Sequence, residues 1–109
     1  MSDKVDQSEA ERRLLLVGAW EKVSKSKCDE IYPDQLEFSD RGLYFGKEGP
    51  GSQYHPVLDA GRYVVIDASH LKMSTSNDAE VTYEMSLSKD ALTLTDKDGC
   101  EFKYRRLKQ

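Results

Sequence analysis

The side chains that could perform catalysis are not spaced as a catalytic group. Ser69 and His70 are adjacent in the sequence, so in a strand they would point to opposite faces of the sheet. Asp59 and Asp67 bracket a predicted strand and are typical of turns. Since no nucleophile, base and orienting group share a suitable spacing, the sequence predicts a protein that is not an enzyme.

Potential metal ligands are also sparse. The chain has two cysteines, Cys28 and Cys100, and two histidines, His55 and His70, with no Cys-x-x-Cys pair. We therefore expect no metal site and no cofactor. Residues 96–101 contain two aspartates, a glycine and a glutamate, but they lack the remaining ligands of a calcium loop. They predict a plain hairpin turn.

The composition limits the classes of partner. The chain has 109 residues, with 16 Lys and Arg against 20 Asp and Glu, and this acidic balance argues against a nucleic-acid binder. The one basic cluster is interpreted as charge at a strand edge; it comprises Lys103, Arg105, Arg106 and Lys108. No apolar run approaches the ~20 residues of a membrane span, so we expect no membrane partner.

The length predicts one domain preceded by a short tail. Residues 1–7 are polar and acidic without the pattern of a secretory signal, so we expect a disordered tail, a domain over 8–109 and, if Met1 is the native start, a cytoplasmic location. Ser8 and Glu11 fit a capping box and predict a short helix over 8–15.

Eight short β-strands are predicted after this helix. They are rich in Val, Ile, Thr, Tyr and Phe and are separated by turn residues; we place them at 17–25, 34–39, 43–47, 61–66, 70–75, 80–88, 91–95 and 100–107. The last three alternate apolar with polar residues, which is typical of antiparallel strands with one buried face. The run 63–66 is apolar on both faces, so its facing is left open. We prefer a closed barrel to a sandwich because closure leaves no strand edge exposed.

A short motif at the first strand suggests a family. Gly18-x-Trp20 follows the predicted helix, and Leu36-Glu37-Phe38, Gly61-Arg62-Tyr63 and the 92–99 hairpin extend the likeness. The sequence resembles the small bacterial lipocalin-like (calycin-type) proteins. The resemblance implies an all-β, eight-stranded, antiparallel up-and-down barrel with a short N-terminal helix. It also implies that a basic residue of the last strand packs across Trp20, with Arg106 the better candidate and Arg105 the alternative.

The expected interior contains many large side chains. We predict that a small hydrophobic or amphipathic ligand binds at the open end, lined by Phe38, Tyr44, Tyr63, Met73, Tyr83, Met85 and Tyr104. The alternative is a barrel filled by these side chains that acts as a protein-interaction or inhibitory module. Such a module would use the loop over 47–56, where Tyr54 and His55 would lie near the barrel mouth; the protein partner is unknown.

The two cysteines are expected to lie close together. Cys28 follows the first predicted strand and Cys100 begins the last, and these two strands pair antiparallel in a closed barrel. Because cytosolic thiols usually stay reduced, we predict neighbouring free thiols, with a disulfide as the alternative.

Overall fold

The computed structural model describes residues 13–47, 58–75 and 79–107. Residues 13–16 are helical, and one turn of 3-10 helix, η1, spans Cys28–Ile31. The eight strands are β1 (Gly18–Lys22), β2 (Gln35–Phe38), β3 (Leu43–Lys47), β4 (Ala60–Asp67), β5 (His70–Ser74), β6 (Glu80–Leu87), β7 (Ala91–Thr95) and β8 (Glu101–Arg106).

The strands form a closed antiparallel barrel in which each pairs with its neighbours in the sequence. β8 closes the ring on β1, with Trp20 opposite Arg106, Glu21 opposite Arg105 and Lys22 opposite Tyr104. The predicted all-β, eight-stranded antiparallel barrel is confirmed. A barrel of this size has an interior that side chains can fill.

The interior follows from the period-two alternation. The buried hydrophobic residues form one cluster: Leu16, Trp20, Tyr32, Leu36, Phe38, Tyr44, Leu58, Tyr63, Leu71, Met73, Tyr83, Met85, Leu92, Leu94, Cys100, Phe102 and Tyr104. On β4 the open question is settled: Tyr63 is buried, whereas Val64 and Ile66 are exposed. A register shift between Val65 and Asp67 lies at the end of this strand.

Two segments cover the two ends of the barrel. Residues 13–16 lie at the end of the barrel where Trp20 and Arg106 meet, which we call the upper end, and Leu16 is fully buried there. The predicted helix over 8–15 thus continues to Leu16, and its first five residues lie outside the described residues. The opposite, lower end is covered by residues 23–34, which include η1 and which we call the covering segment. None of the described helical segments is long and apolar enough to cross a membrane.

Several predicted strands are too long at the lower end. β1 was expected to reach residue 25, but it ends at Lys22 because Val23 and Ser24 both turn their N–H groups to the carbonyl of Lys103. The chain then leaves the sheet and forms η1, an element that the sequence pattern does not predict. Because the chain leaves the sheet here, residues 23–34 can cover the lower end of the barrel.

Candidate functional site

At the upper end, one cation packs against the lone tryptophan. The guanidinium of Arg106 lies 4.3 Å from the ring centre of Trp20, and it donates hydrogen bonds to the carbonyls of Val17, Leu15 and Lys89. A stacked cation of this kind contributes about 0.5–2 kcal/mol. Arg105 points outward and pairs with Glu21 at 3.1 Å. The arrangement ties the last strand to the first.

Gly18 lies beside this cation in a conformation that favours glycine. Its φ is +130°, and a Cβ atom built there would lie 2.8 Å from Nη1 of Arg106. Both the backbone conformation and the close approach favour glycine. The Gly-x-Trp spacing therefore places a residue without a side chain next to the guanidinium. Two positions later in the sequence, it places the indole of Trp20 in the interior of the barrel.

The seven predicted lining residues are all buried in the interior. Three of their hydroxyls donate to backbone carbonyls: Tyr44 to Ser74 at 2.6 Å, Tyr63 to Ser39 at 2.5 Å and Tyr104 to Pro33 at 2.7 Å. Burial raises the pKa of each of these phenols above its usual value. Within the described residues, no buried side-chain nitrogen or oxygen is left without a hydrogen bond. The interior is thus occupied by large side chains whose described polar atoms are paired.

At the lower end, four aromatic rings meet, and one of them does not come from a strand. The ring of Tyr32 stacks on Phe102 with 3.7 Å between centroids and 8° between planes. Tyr83 presents an edge to both rings, and Tyr104 packs against Phe102. The strand residues Tyr83, Phe102 and Tyr104, which we call the aromatic cup, therefore hold the side chain of a residue from the covering segment.

The hydroxyl of Tyr32 is held by a carboxylate. It donates to Asp96 at 2.6 Å, and burial together with this bond raises the pKa of Tyr32. Burial opposes ionisation of Asp96, but hydrogen bonds from Tyr32 and from the backbone N–H groups of Cys100 and Asp98 outweigh it and lower the pKa of Asp96. The charged carboxylate therefore favours a donor at this position.

The chain matches no protein-family profile, no curated protein and no solved structure. The cup, the closure at Trp20 and the barrel itself are therefore interpreted from their own geometry.

The prediction of two free thiols is wrong. Cys28 and Cys100 form a disulfide, with their Cα atoms 5.9 Å apart, although their expected proximity is confirmed. The reason is local: η1 carries Cys28 back over the first residues of β8. The bond joins the covering segment to the chain just before Phe102, on which Tyr32 stacks.

A buried ion pair, which the sequence pattern does not reveal, anchors the same segment. Asp29 is 1% exposed and accepts hydrogen bonds from the hydroxyl of Ser24 and the N–H of Ser26. The ammonium of Lys22 lies 3.8 Å from the Asp29 carboxylate and donates to the carbonyls of Asp29 and Tyr32. Lys22 is the last residue of β1 that points inward. Because its ammonium binds two carbonyls of the covering segment, it attaches the backbone of that segment to the barrel in addition to forming the ion pair.

This network predicts an acid-sensitive contribution to stability. Burial opposes ionisation of Asp29, but the hydrogen bonds from Ser24 and Ser26 and the charge of Lys22 lower its pKa below 3.8. The contribution is therefore complete above that value and is lost as pH falls through the lower, folded-state pKa. We expect Asp29→Asn to reduce the free energy of unfolding by about 1–3 kcal/mol at neutral pH, measured by urea titration.

The same comparison at low pH provides the check. Once Asp29 is protonated in the parent protein, the carboxyl and the amide are both neutral, so the difference between the two proteins should shrink. An equal difference at about pH 2.5 and at neutral pH would show that the charge of Asp29 does not contribute.

The turn after β4 gathers a histidine, a serine and a carboxylate without forming a catalytic relay. Nδ1 of His70 lies 2.8 Å from the Asp67 carboxylate and 3.3 Å from the hydroxyl of Ser69. In a nucleophile–base–orienter group these partners bind opposite nitrogens of the ring, whereas here they share one. His70 and Asp67 are also substantially exposed, so the cluster serves the turn.

The other candidate residues from the sequence lie in a hairpin turn or outside the described residues. Residues 96–100 form a hairpin turn in which the Asp96 carboxylate accepts backbone N–H groups. No group of three or more metal-ligating side chains is found in residues 13–47, 58–75 and 79–107. Tyr54, His55 and the predicted loop beyond Lys47 lie outside these ranges.

Proposed function

We propose that this protein is a non-catalytic binding module that takes a small aromatic molecule with a hydroxyl group into the lower end of its barrel. The observation that supports the proposal is the position of Tyr32. A residue of the covering segment occupies the aromatic cup as a bound phenol would. The likeness of Gly18, Trp20 and Arg106 to a lipocalin-like closure agrees with a small-ligand role.

The chemistry of the cup supports a ligand of this class. Phe102 offers a flat apolar face and Tyr83 an edge, a combination that favours a planar ring. Asp96 offers a charged acceptor at the end of that ring. A phenol satisfies both requirements, whereas a ring without a donor leaves a partly buried carboxylate short of a hydrogen bond.

The ligand must displace Tyr32, and the disulfide opposes this displacement. With Cys28 bonded to Cys100, the Tyr32 ring has a high effective concentration at the cup, so a free phenol competes poorly. Reduction lowers that effective concentration. We propose that the reduced protein is the ligand-binding form, which would suit a reducing compartment such as the cytoplasm.

Reduction requires a dithiol as electron donor. Cys28 is exposed and Cys100 is buried, so a dithiol thiolate attacks the sulfur of Cys28 and the sulfur of Cys100 leaves as a thiolate. The second thiol of the reductant then displaces Cys28. The dithiol becomes a disulfide, and the protein gains two electrons and two protons.

The experiment compares p-cresol, which reproduces the side chain of tyrosine, with toluene. Isothermal titration of the reduced full chain should give p-cresol binding at least about tenfold tighter than in the oxidised chain, and toluene should bind more weakly than p-cresol. The oxidised Tyr32→Ala variant, which empties the cup, should bind p-cresol without reductant.

Two results would contradict the proposal. The first is a reduced protein that keeps its circular dichroism spectrum but does not bind p-cresol. The second is an oxidised Tyr32→Ala variant that is folded and does not bind either. Tyr63→Ala is the matched control, because Tyr63 is a buried tyrosine at the other end of the barrel and its loss should not substitute for reduction.

The many large side chains in the interior support a second candidate, a protein-interaction or inhibitory module. A barrel packed with its own side chains acts as a rigid scaffold, and binding would then fall to its surface. The loop over 47–56, with Tyr54 and His55, stays the predicted contact of this module. Binding of a partner that survives deletion of that loop would remove this candidate.

A further inference from the structure

An apolar patch lies on the outside of the barrel, across β3 and β4. Leu43, Phe45 and Val64 are 37%, 43% and 53% exposed, and they line a groove together with Arg62 and Lys72. Of the other outward positions on these strands, Lys47 and Arg62 are charged, whereas Ala60 and Ile66 are apolar. Three large apolar side chains on one wet face are typical of an interaction surface.

The barrel directs association to this face. All eight strands are paired on both sides in the ring, so a partner cannot add a strand to an open sheet edge. It must instead pack against outward side chains. The apolar patch is an outward surface suited to such packing.

The charges flanking the patch differ from one side to the other. Glu37 of β2 lies opposite Phe45, whereas Lys72 of β5 lies opposite Val64. Neighbouring strands are about 4.8 Å apart, which separates the two flanks by about 14 Å along the sheet. Arg62, opposite Leu43, adds positive charge towards the Lys72 side. The patch thus has an acidic flank and a basic flank.

This distribution fits a second copy of the same chain. A two-fold axis through the patch brings the acidic flank of each copy onto the basic flank of the other. Lys72 lies 3.6 Å from Glu80, a solvent-exposed contact that it can exchange. No ion pair to Glu37 is found within residues 13–47, 58–75 and 79–107.

We propose that this face is the interface of a homodimer. Leu43, Phe45 and Val64 pack against their two-fold mates at its centre, and Glu37 of each copy pairs with Lys72 of the other on both sides. The proposal is independent of ligand binding, because the aromatic cup lies inside the barrel.

Charge reversal tests the pairing. Sedimentation velocity of the full chain from about 1 µM to about 1 mM should show a monomer–dimer equilibrium. Glu37→Lys and Lys72→Glu should each weaken dimerisation about tenfold or more, because symmetry places each like-charge contact in the dimer twice. The double variant restores opposite charges and should recover the parent affinity to within about threefold.

The controls separate this interface from a general effect of charge. Glu84→Lys makes the same change on an exposed residue of β6 outside the patch and should leave the equilibrium unchanged. Val64→Glu should abolish dimerisation while the circular dichroism spectrum is retained. A monomer at every concentration overturns the proposal. A double variant that dimerises no better than the single variants overturns the pairing.

Discussion

Trp20→Ala should reduce the free energy of unfolding by about 3–5 kcal/mol, as expected for truncation of a buried tryptophan. The side chain is 0% exposed, its indole N–H donates to the carbonyl of Leu16 at 2.9 Å, and its face holds the guanidinium of Arg106. Truncation therefore removes packing, a hydrogen bond and the cation's support at once. Urea unfolding followed by far-UV circular dichroism measures the effect, since the variant lacks the one tryptophan of the chain.

Two further variants calibrate this result. Trp20→Phe keeps an aromatic ring for Arg106 but loses the indole N–H, so its loss should be intermediate. Leu14→Ala also truncates a large apolar side chain near the upper end, but Leu14 is 69% exposed, so its effect should stay within about 0.5 kcal/mol. Equal stability of Trp20→Ala and the parent protein would show that the closure does not stabilise the barrel.

Loss of the disulfide should have an effect of similar size. The bond joins residues 72 positions apart, and a cross-link of this span lowers the entropy of the unfolded chain by the equivalent of about 4 kcal/mol. We expect Cys28→Ser combined with Cys100→Ser to lower the free energy of unfolding by about that amount. Urea titration of the oxidised parent and the double variant measures the difference.

Reduction provides the matched control for this prediction. A reducing agent should lower the midpoint of the parent protein towards that of the double variant, and it should leave the double variant unchanged. If the parent protein unfolds at the same urea concentration with and without reductant, the bond does not contribute to equilibrium stability.

The barrel could be predicted because its signals are local. The alternation in β7 and β8 places Leu92, Leu94, Phe102 and Tyr104 on the inner face, and all four are buried. The parity of β8 likewise favours Arg106 over Arg105 as the cation that meets Trp20. Such inferences need only the pleat of a strand, so they hold without knowledge of the rest of the molecule.

The lower end could not be predicted because residues 23–34 have no such period. Tyr32 and Asp29 become buried only because the chain leaves the sheet after Lys22 and turns through η1. A buried aspartate in particular depends on three separate partners meeting in space. The cysteine prediction was wrong for another reason: it followed the usual redox state of cytosolic thiols, whereas η1 brings the two sulfurs within bonding distance.

The seam between β1 and β8 has a consequence for how the chain folds. Each other pairing joins strands that follow one another in the sequence, so it can form as a hairpin or through a short connection. The seam brings Trp20 to Arg106, across nearly the whole chain. We expect this pairing to form after the others, because it has the largest entropic cost of closure. The cation stacked at that joint should then act on the lifetime of the finished barrel more than on the speed of its assembly.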